Sequence, residues 1–271
     1  MNKFPEIFSL KNKVAVVTGA LGLIGKNHCK ALCEAGANIV VCDLDESKCK
    51  KYASDLQEKS IGIAADITKK ESVIKLKDSI LKEFNKIDVL VNNAAINDMF
   101  ENPQAAAEQS MFENYPLDLW QKSLDVNVTG MFLCSQILGS EMAKKGKGSI
   151  INVASTYGMV GPDQALYKKP DGSQLFYKSA AYPVTKGAVI SFTRFLAAYW
   201  GNKGVRVNTL SPGGVENEQD EYFIYNYSKK TPLGRMAKPT DYKGALIFLA
   251  SNASDYMTGA NLVVDGGWTA W

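Results

Sequence analysis

Short apolar runs alternate with stretches of helical periodicity along almost the whole chain. The runs at 14–17, 38–42, 62–65, 88–91, 149–153, 205–210 and 261–264 are rich in Val and Ile. Unbroken apolarity of this kind suits parallel strands buried on both faces. Between them, 72–84, 118–142, 188–200 and 241–250 carry apolar residues at amphipathic-helix spacing. Strand-then-helix repetition predicts the α/β class: a parallel sheet of about seven strands with helices on both faces. Right-handed crossovers restrict the order to the doubly wound, Rossmann type. No Pro/Gly/Ser-rich linker interrupts the rhythm, so 1–271 is read as a single domain. Two segments break it. Residues 161–177 (GPDQALYKKPDGSQLFY) hold turn formers and charge, and 216–230 (ENEQDEYFIYNYSKK) are acidic and aromatic. Both are expected to be loops that contact a substrate.

Composition narrows the partners. Thirty-one Lys and Arg against 28 Asp and Glu leave a net charge of +3, with the signs interleaved. So mild and dispersed a charge marks neither a nucleic-acid nor a membrane-surface partner. No apolar run reaches the roughly 18 residues of a membrane span. Residues 1–13 lack a charged-then-apolar leader pattern. Cys29, Cys33, Cys42, Cys49 and Cys134 show no CxxC spacing. They read as buried thiols of a reducing cytoplasm. Cys29 and Cys33, four apart, are the seed of a metal site, but no metal is expected. The one histidine, His28, is read as an ordinary helix residue.

Two constellations carry chemistry. The first run leads into Thr18-Gly19-Ala20-Leu21-Gly22-Leu23-Ile24-Gly25 and then a helical stretch. Glycines there allow a tight turn and let backbone N–H groups approach a pyrophosphate at the helix's positive end. Asp43 follows Gly25 by 18 residues, at the end of the second run. A carboxylate at that place accepts hydrogen bonds from adenosine ribose hydroxyls and repels a 2′-phosphate, so NAD is expected over NADP. Asp66, ending the third run, either lies beside the adenine or caps the helix that follows.

The second constellation is Tyr182-Pro183-Val184-Thr185-Lys186, which places Tyr182 and Lys186 on one helix face. A phenol titrates near 10, and a nearby ammonium with a cationic nicotinamide favours its ionised form. Tyr182 then becomes a usable general acid/base. Upstream, Ser155 ends Asn152-Val153-Ala154-Ser155, where its hydroxyl can hold a substrate oxygen.

In these pieces the chain resembles the short-chain dehydrogenase/reductase family, single-domain branch, over essentially its full length. TGALGLIG, the acidic end of the second run, Asn92-Asn93-Ala94-Ala95, Asn127 in DVNVTG, Ser155, Tyr182 with Lys186, RVNTLSPGGV and Val264-Asp265-Gly266-Gly267 stand in the family's order. The resemblance implies hydride transfer between a nicotinamide and a secondary alcohol or ketone. Tyr182 would exchange the proton, Lys186 would lower its pKa and bind the nicotinamide ribose, and Ser155 would polarise the substrate oxygen. Asn127 would hold a water linking Lys186 to solvent, or is simply a buried helix-kink amide. Cofactor contacts are expected from Gly19, Leu21, Gly22, Leu23 and Ile24 at the turn, and from Asp43, Asp66 and Ile67. Further contacts are expected from Asn93, Ala94 and Ala95, and from Tyr182, Lys186, Pro212, Gly213 and Val215. Ser155, Tyr157, Gln164, Tyr182 and Tyr222 are expected to touch substrate. The family also implies a homodimer or homotetramer, built on 118–142 and the helix of Tyr182; separately, two tryptophans so close together, Trp268 and Trp271, are expected to be buried, against a neighbouring subunit.

Three departures from the family pattern matter. Gly22 falls one place early, with Leu23 where a glycine usually stands. Tyr182 trails Ser155 by 27 residues, the excess being 161–177. Asn217 occupies the place of a frequent Thr and is not counted as a cofactor ligand. The polar insertion, with Gln164, Tyr167, Lys168, Lys169 and Gln174, and the aromatic 216–230 point to a sugar or amino-sugar derivative. The texture is similar to the surface-sugar and flagellin-modification members of the family. The alternatives are a 3-oxoacyl-type reductase using NAD(P)H and, from another class, a non-catalytic NAD-binding partner protein.

Overall fold

The computed structural model describes residues 5–57, 59–97 and 103–271. Seven strands form one parallel sheet in the order β3-β2-β1-β4-β5-β6-β7. They are β1 Val14–Thr18, β2 Asn38–Asp43, β3 Ile61–Ala64, β4 Val89–Asn92, β5 Gly148–Val153, β6 Val205–Pro212 and β7 Asn261–Val264. Side-chain alternation splits each strand between two cores. Ala15, Val17, Ile39 and Val41 face one core, while Val14, Val16, Val40 and Cys42 face the other. Both faces are covered, which is why the runs read as continuously apolar.

On the first face lie α1 (Leu23–Glu34) and α2 (Glu46–Ser54), which contribute Leu32 and Cys49. On the second, α3 (Lys70–Phe84) contributes Leu76 and Ile80. A short α4 (Pro103–Gln109) precedes a long interrupted rod. The rod runs through α5 (Leu117–Leu124), α6 (Met131–Cys134) and α7 (Ser140–Lys145), joined by π-helical turns at Asp125–Gly130 and Ser135–Gly139. The stretch expected as one helix over 118–142 is therefore widened twice. Helix α8 spans Ala181–Trp200, seven residues earlier than its periodicity at 188–200 predicts. Pro183 does not stop it, because a first-turn residue has no intrahelical acceptor for the N–H that proline lacks.

The segment 216–230 is not wholly a loop. Its second half is α9 (Glu221–Lys230), started by Asp220, whose carboxylate accepts from the Phe223 N–H at 2.9 Å. Its apolar side, Phe223, Ile224 and Tyr227, joins a third core with Leu166, Tyr167, Met236 and Trp268. Helix α10 (Lys243–Ala250) completes the first face beside α1. No helix among the described residues is long and apolar enough to cross a membrane.

All five cysteines are free and buried, and no cluster of metal-binding side chains occurs among the described residues. A thiol reagent is accordingly expected to titrate no cysteine in the native protein and all of them after denaturation. Fast native-state reaction would mean that the α1–β2 core opens readily. His28 is buried with neither ring nitrogen hydrogen-bonded among the described residues, and burial lowers its pKa to about 4. It stays neutral at physiological pH.

Candidate active site

The turn after β1 is held by its neighbours. Gly19 has φ +61, and a Cβ there would lie 2.6 Å from the Ala94 backbone, so only glycine fits. Thr18 Oγ1 accepts from the N–H groups of Asn93 and Ala94 at 3.1 and 3.2 Å. Asn93 Nδ2 donates to the carbonyls of Thr18 and Gly19 at 3.0 and 2.9 Å. Gly22 caps α1 at φ −70, a value open to any residue, so its early position leaves the turn intact. Leu23 begins the helix in its stead.

Asp43 closes β2 beside this turn. One of its carboxylate oxygens accepts from the Leu21 N–H at 2.9 Å and the other from the Leu44 N–H at 2.8 Å. Asp66 accepts from both the N–H and the hydroxyl of Thr68 and pairs with Lys69 at 3.1 Å. It thus orders the approach to α3 while also lining the cleft. That cleft, of about 900 Å³, is lined by Gly19, Leu21–Ile24, Asp43, Asp66, Ile67, Asn93–Ala95, Tyr182, Lys186 and Pro212. A glycine cradle, a free helix N-terminus and a carboxylate at the far end suit a dinucleotide. Gly213 and Val215 line an adjoining cavity instead, and Pro212 and Tyr182 border both.

The first turn of α8 sets Tyr182 at this junction and Lys186 one turn deeper. Lys186 is buried, donates to the Val153 carbonyl at 2.9 Å, and lies 5.7 Å from the centre of the Tyr182 ring. Burial lowers its pKa to about 8. Ser155 hydrogen-bonds the Tyr182 phenol. Burial pushes that phenol above its ordinary value and the Ser155 bond pulls it back. Lys186 Nζ is turned to the Val153 carbonyl and stays near the phenol ring, within range to act on it when a cationic cofactor is bound. Asn127, 2% exposed in the first π-helical turn, exchanges two hydrogen bonds with the Ile96 backbone and donates to Thr185 at 3.1 Å. Both its amide hydrogens are spent on Ile96 and Thr185, so the expected water would be held by an oxygen of Asn127.

Beyond Tyr182 the adjoining cavity, about 420 Å³, is walled by the insertion and by α9. Tyr157 and Tyr167 meet there with their hydroxyls 3.2 Å apart, both buried, and burial raises both phenols. Two of the expected substrate contacts, Gln164 and Tyr222, do not line this cavity. Gln164 spends its amide on Lys178, donating to its carbonyl at 3.0 Å and accepting from its N–H at 2.8 Å. Tyr222 is exposed and does not line the cavity; Phe223 and Tyr227, on the other side of α9, do. Gln174 is likewise used within the insertion, donating to the carbonyls of Gln164 and Phe176.

Sequence reasoning missed Lys178. It lines the cavity, stands 4.6 Å from the centre of the Tyr182 ring and donates to Asn97 Oδ1. The available signal was its position four residues before Tyr182, mirroring Lys186 four after. The two C-terminal tryptophans also part company. Trp268 is 9% exposed and stacks on Tyr227, ring centres 4.2 Å apart, whereas Trp271 is 80% exposed. Tyr227 in turn accepts from the Gly214 N–H at 2.6 Å, beside Pro212 and Gly213. Trp268→Ala is expected to lower stability by about 3 kcal/mol and to raise the substrate KM several-fold without weakening dinucleotide binding. Denaturant titration and steady-state kinetics check this; an unchanged KM would show that α9 stands without its Trp support.

Residues 13–168 match the family model described as short chain dehydrogenase, and 171–269 match that described as Enoyl-(Acyl carrier protein) reductase. An NAD-dependent glycerol dehydrogenase of Listeria innocua serovar 6a is 33% identical, the match covering 98% of this chain and 97% of the relative. A D-threitol dehydrogenase of Mycolicibacterium smegmatis is 34% identical over 97% of this chain and 95% of the relative. Among solved structures, a gluconate 5-dehydrogenase from Burkholderia cenocepacia in complex with NADP and tartrate is 31% identical. It superposes with a TM-score of 0.85 over 98% of both chains.

Proposed function

The chain belongs to the short-chain dehydrogenase/reductase family and is an NAD(P)-dependent oxidoreductase of CH–OH groups; on that premise we propose that it uses NAD to oxidise a secondary alcohol of a sugar or polyol. The observation that carries the substrate class is the wall facing Tyr182. It carries two buried phenols, two lysines and Asp220, set among the aromatic faces of Phe176, Phe223 and Tyr227 and the aliphatic Leu166, Leu175 and Met236. Hydroxyl-rich substrates find donors and acceptors there, and sugar-like carbon chains find rings to lie against. The named relatives acting on glycerol and threitol point the same way. A long acyl chain would set apolar surface against the polar side chains of Lys168 and Asp220, so the 3-oxoacyl reading is disfavoured.

When bound, the nicotinamide supplies the hydride acceptor. Ser155 holds the substrate oxygen, Tyr182 takes its proton, and Lys186 binds the nicotinamide ribose and favours the ionised phenol once the cofactor's positive charge joins it. Asn127 keeps the loop after β4 against α8, which argues for a positioning role. The assembled Ser155, Tyr182 and Lys186 also argue against a partner protein that merely binds NAD. The preference for NAD rests on Asp43, which stands in the cleft with both oxygens turned to backbone N–H groups. The five free, buried thiols support a reducing, cytoplasmic setting for the reaction.

Calorimetric titration with NAD and NADP, followed by a panel of polyols and sugars, tests this reading. NAD is expected to bind at least tenfold more tightly. Asp43→Ala is expected to close most of that gap by relieving charge repulsion on a 2′-phosphate. Tighter binding of NADP by the native protein would refute the cofactor assignment. A homo-oligomer follows from the same family reading and is supported by the exposed side chains of Val184, Phe195 and Tyr199 along α8, with Phe132 beside them. Light scattering at micromolar concentration is expected to give a dimer or tetramer.

A further inference from the structure

The insertion over 161–177 is built around one ring. Asp163 caps its short turn, Gln164–Tyr167, accepting from the Ala165 N–H at 2.9 Å, and its other oxygen pairs with Lys230 of α9 at 2.6 Å. The Tyr167 carbonyl accepts from the Leu175 N–H at 2.9 Å. Its ring packs on Phe176 and Phe223, with centres 4.9 and 5.7 Å away. These restraints carry the Tyr167 hydroxyl into the cavity beyond Tyr182, where it meets the Tyr157 hydroxyl at 3.2 Å. Tyr157 is set from the side of the reacting groups: its N–H donates to Ser155 Oγ at 3.2 Å. The turn after β5 and the insertion thus converge on one pair of phenols. That pair has capacity left over. A phenol has one O–H donor and accepts through its oxygen. Among the described residues each of these hydroxyls has only the other as a hydrogen-bond partner, so one hydrogen remains uncommitted. Their separation also exceeds the roughly 2.5–3.0 Å usual for O–H···O bonds, so the bond between them is a weak one. Burial raises both phenols, Tyr167 to about 12, and the pair stays neutral at physiological pH. A neutral pair able to give one hydrogen bond and receive another is the complement of a hydroxyl, which does both.

We infer that Tyr157 and Tyr167 form a specificity-determining pair that binds a second hydroxyl of the substrate while Ser155 and Tyr182 hold the one that is oxidised. This rests on the sugar or polyol reading above and deepens it. That reading asks only for a hydroxyl-rich molecule, whereas the pair reads one oxygen near the reacting carbon. It favours a hydroxyl there over an ether oxygen, which only accepts, and over a hydrogen, which does neither. All four side chains line the same cavity of about 420 Å³, so one small molecule reaches both points. The insertion acquires a role on this account: it delivers Tyr167, without which Tyr157 would stand there alone.

The test uses the purified protein with NAD and two series of secondary alcohols that differ at one group. One is butane-2,3-diol, its monomethyl ether and butan-2-ol; the other is pentane-2,4-diol, its monomethyl ether and pentan-2-ol. The native enzyme is expected to rank them diol, ether, plain alcohol in kcat/KM in at least one series. Tyr167→Phe is expected to reduce the diol-to-alcohol ratio of kcat/KM about tenfold, the order of one neutral hydrogen bond, with the loss falling on KM. Tyr157→Phe is expected to do the same. The double variant is expected to lose little more than either single one, because both hydroxyls serve one substrate oxygen. If Tyr167→Phe slows diol, ether and alcohol by the same factor, or if the native enzyme takes the ethers as readily as the diols, the inference is overturned and the sugar or polyol reading stands. If the native enzyme prefers the plain alcohols, or oxidises nothing in either series, both fall together.

Discussion

Tyr182→Phe is expected to lower turnover by about a thousandfold while leaving NAD affinity unchanged. The substitution removes one oxygen and nothing else. The ring keeps its place in the first turn of α8, and the stacking of Lys178 and Lys186 against it persists. What disappears is the hydroxyl that Ser155 hydrogen-bonds at the junction of the two cavities. General acid–base groups contribute about 10²–10⁴ in rate, and the Tyr182 hydroxyl is the group that this substitution removes from that point. Progress curves for NADH formation, with calorimetric NAD binding on the same variant, read the two quantities separately. Turnover within tenfold of the native rate would mean that the proton leaves by another route.

Lys186→Met is expected to abolish most activity and, unusually for such a loss, to stabilise the cofactor-free protein at neutral pH. The unfolded lysine titrates near 10.5 and the folded one at about 8. Below pH 8 both states carry the proton, and the folded state bears the full cost of a desolvated ammonium. Between 8 and 10.5 the unfolded state holds more protons than the folded one, so native stability rises with pH. Above that window the cost is gone. The difference amounts to about 3 kcal/mol at 1.4 kcal/mol per unit. Loss of the Lys186 bond to the Val153 carbonyl returns about 1 kcal/mol. The variant should therefore exceed the native protein by about 2 kcal/mol at pH 7, with the gap closing toward pH 10.5. Denaturant titrations of both proteins across that range isolate this group from the other alkaline ones. A gap that stays constant with pH would show that Lys186 is not held against its burial.

The two constellations behind these expectations were legible because each depends on short-range geometry. Tyr182 and Lys186 share a face wherever a helix forms, and a carboxylate at the end of β2 must stand beside the turn after β1 once the strands pair in register. The glycine of the turn was legible for the same reason, since Gly19 needs a positive φ. Boundaries were less so. Helix α8 gained a turn and more at its start because the Ser155–Tyr157 turn and the sheet end pack on it, and the rod over 117–145 widened where Asn127 reaches across to Ile96.

The chain's own pattern of apolar and polar residues determined the parallel sheet, the glycine turn after β1 and the shared helix face of Tyr182 and Lys186, because hydrophobic periodicity and helix spacing act over a few residues. It could not say which way the insertion faces. Gln164 turned out to hold Lys178 fourteen residues away, Lys178 reached Asn97 across 81 positions, and Trp268 from the C-terminal end came to stack on Tyr227. It also left open that Tyr222 would face solvent while Phe223 and Tyr227 turned inward. Those pairings were decided only by tertiary structure. Loop side chains have no fixed period, and their partners are set by which distant surfaces the folded sheet brings together.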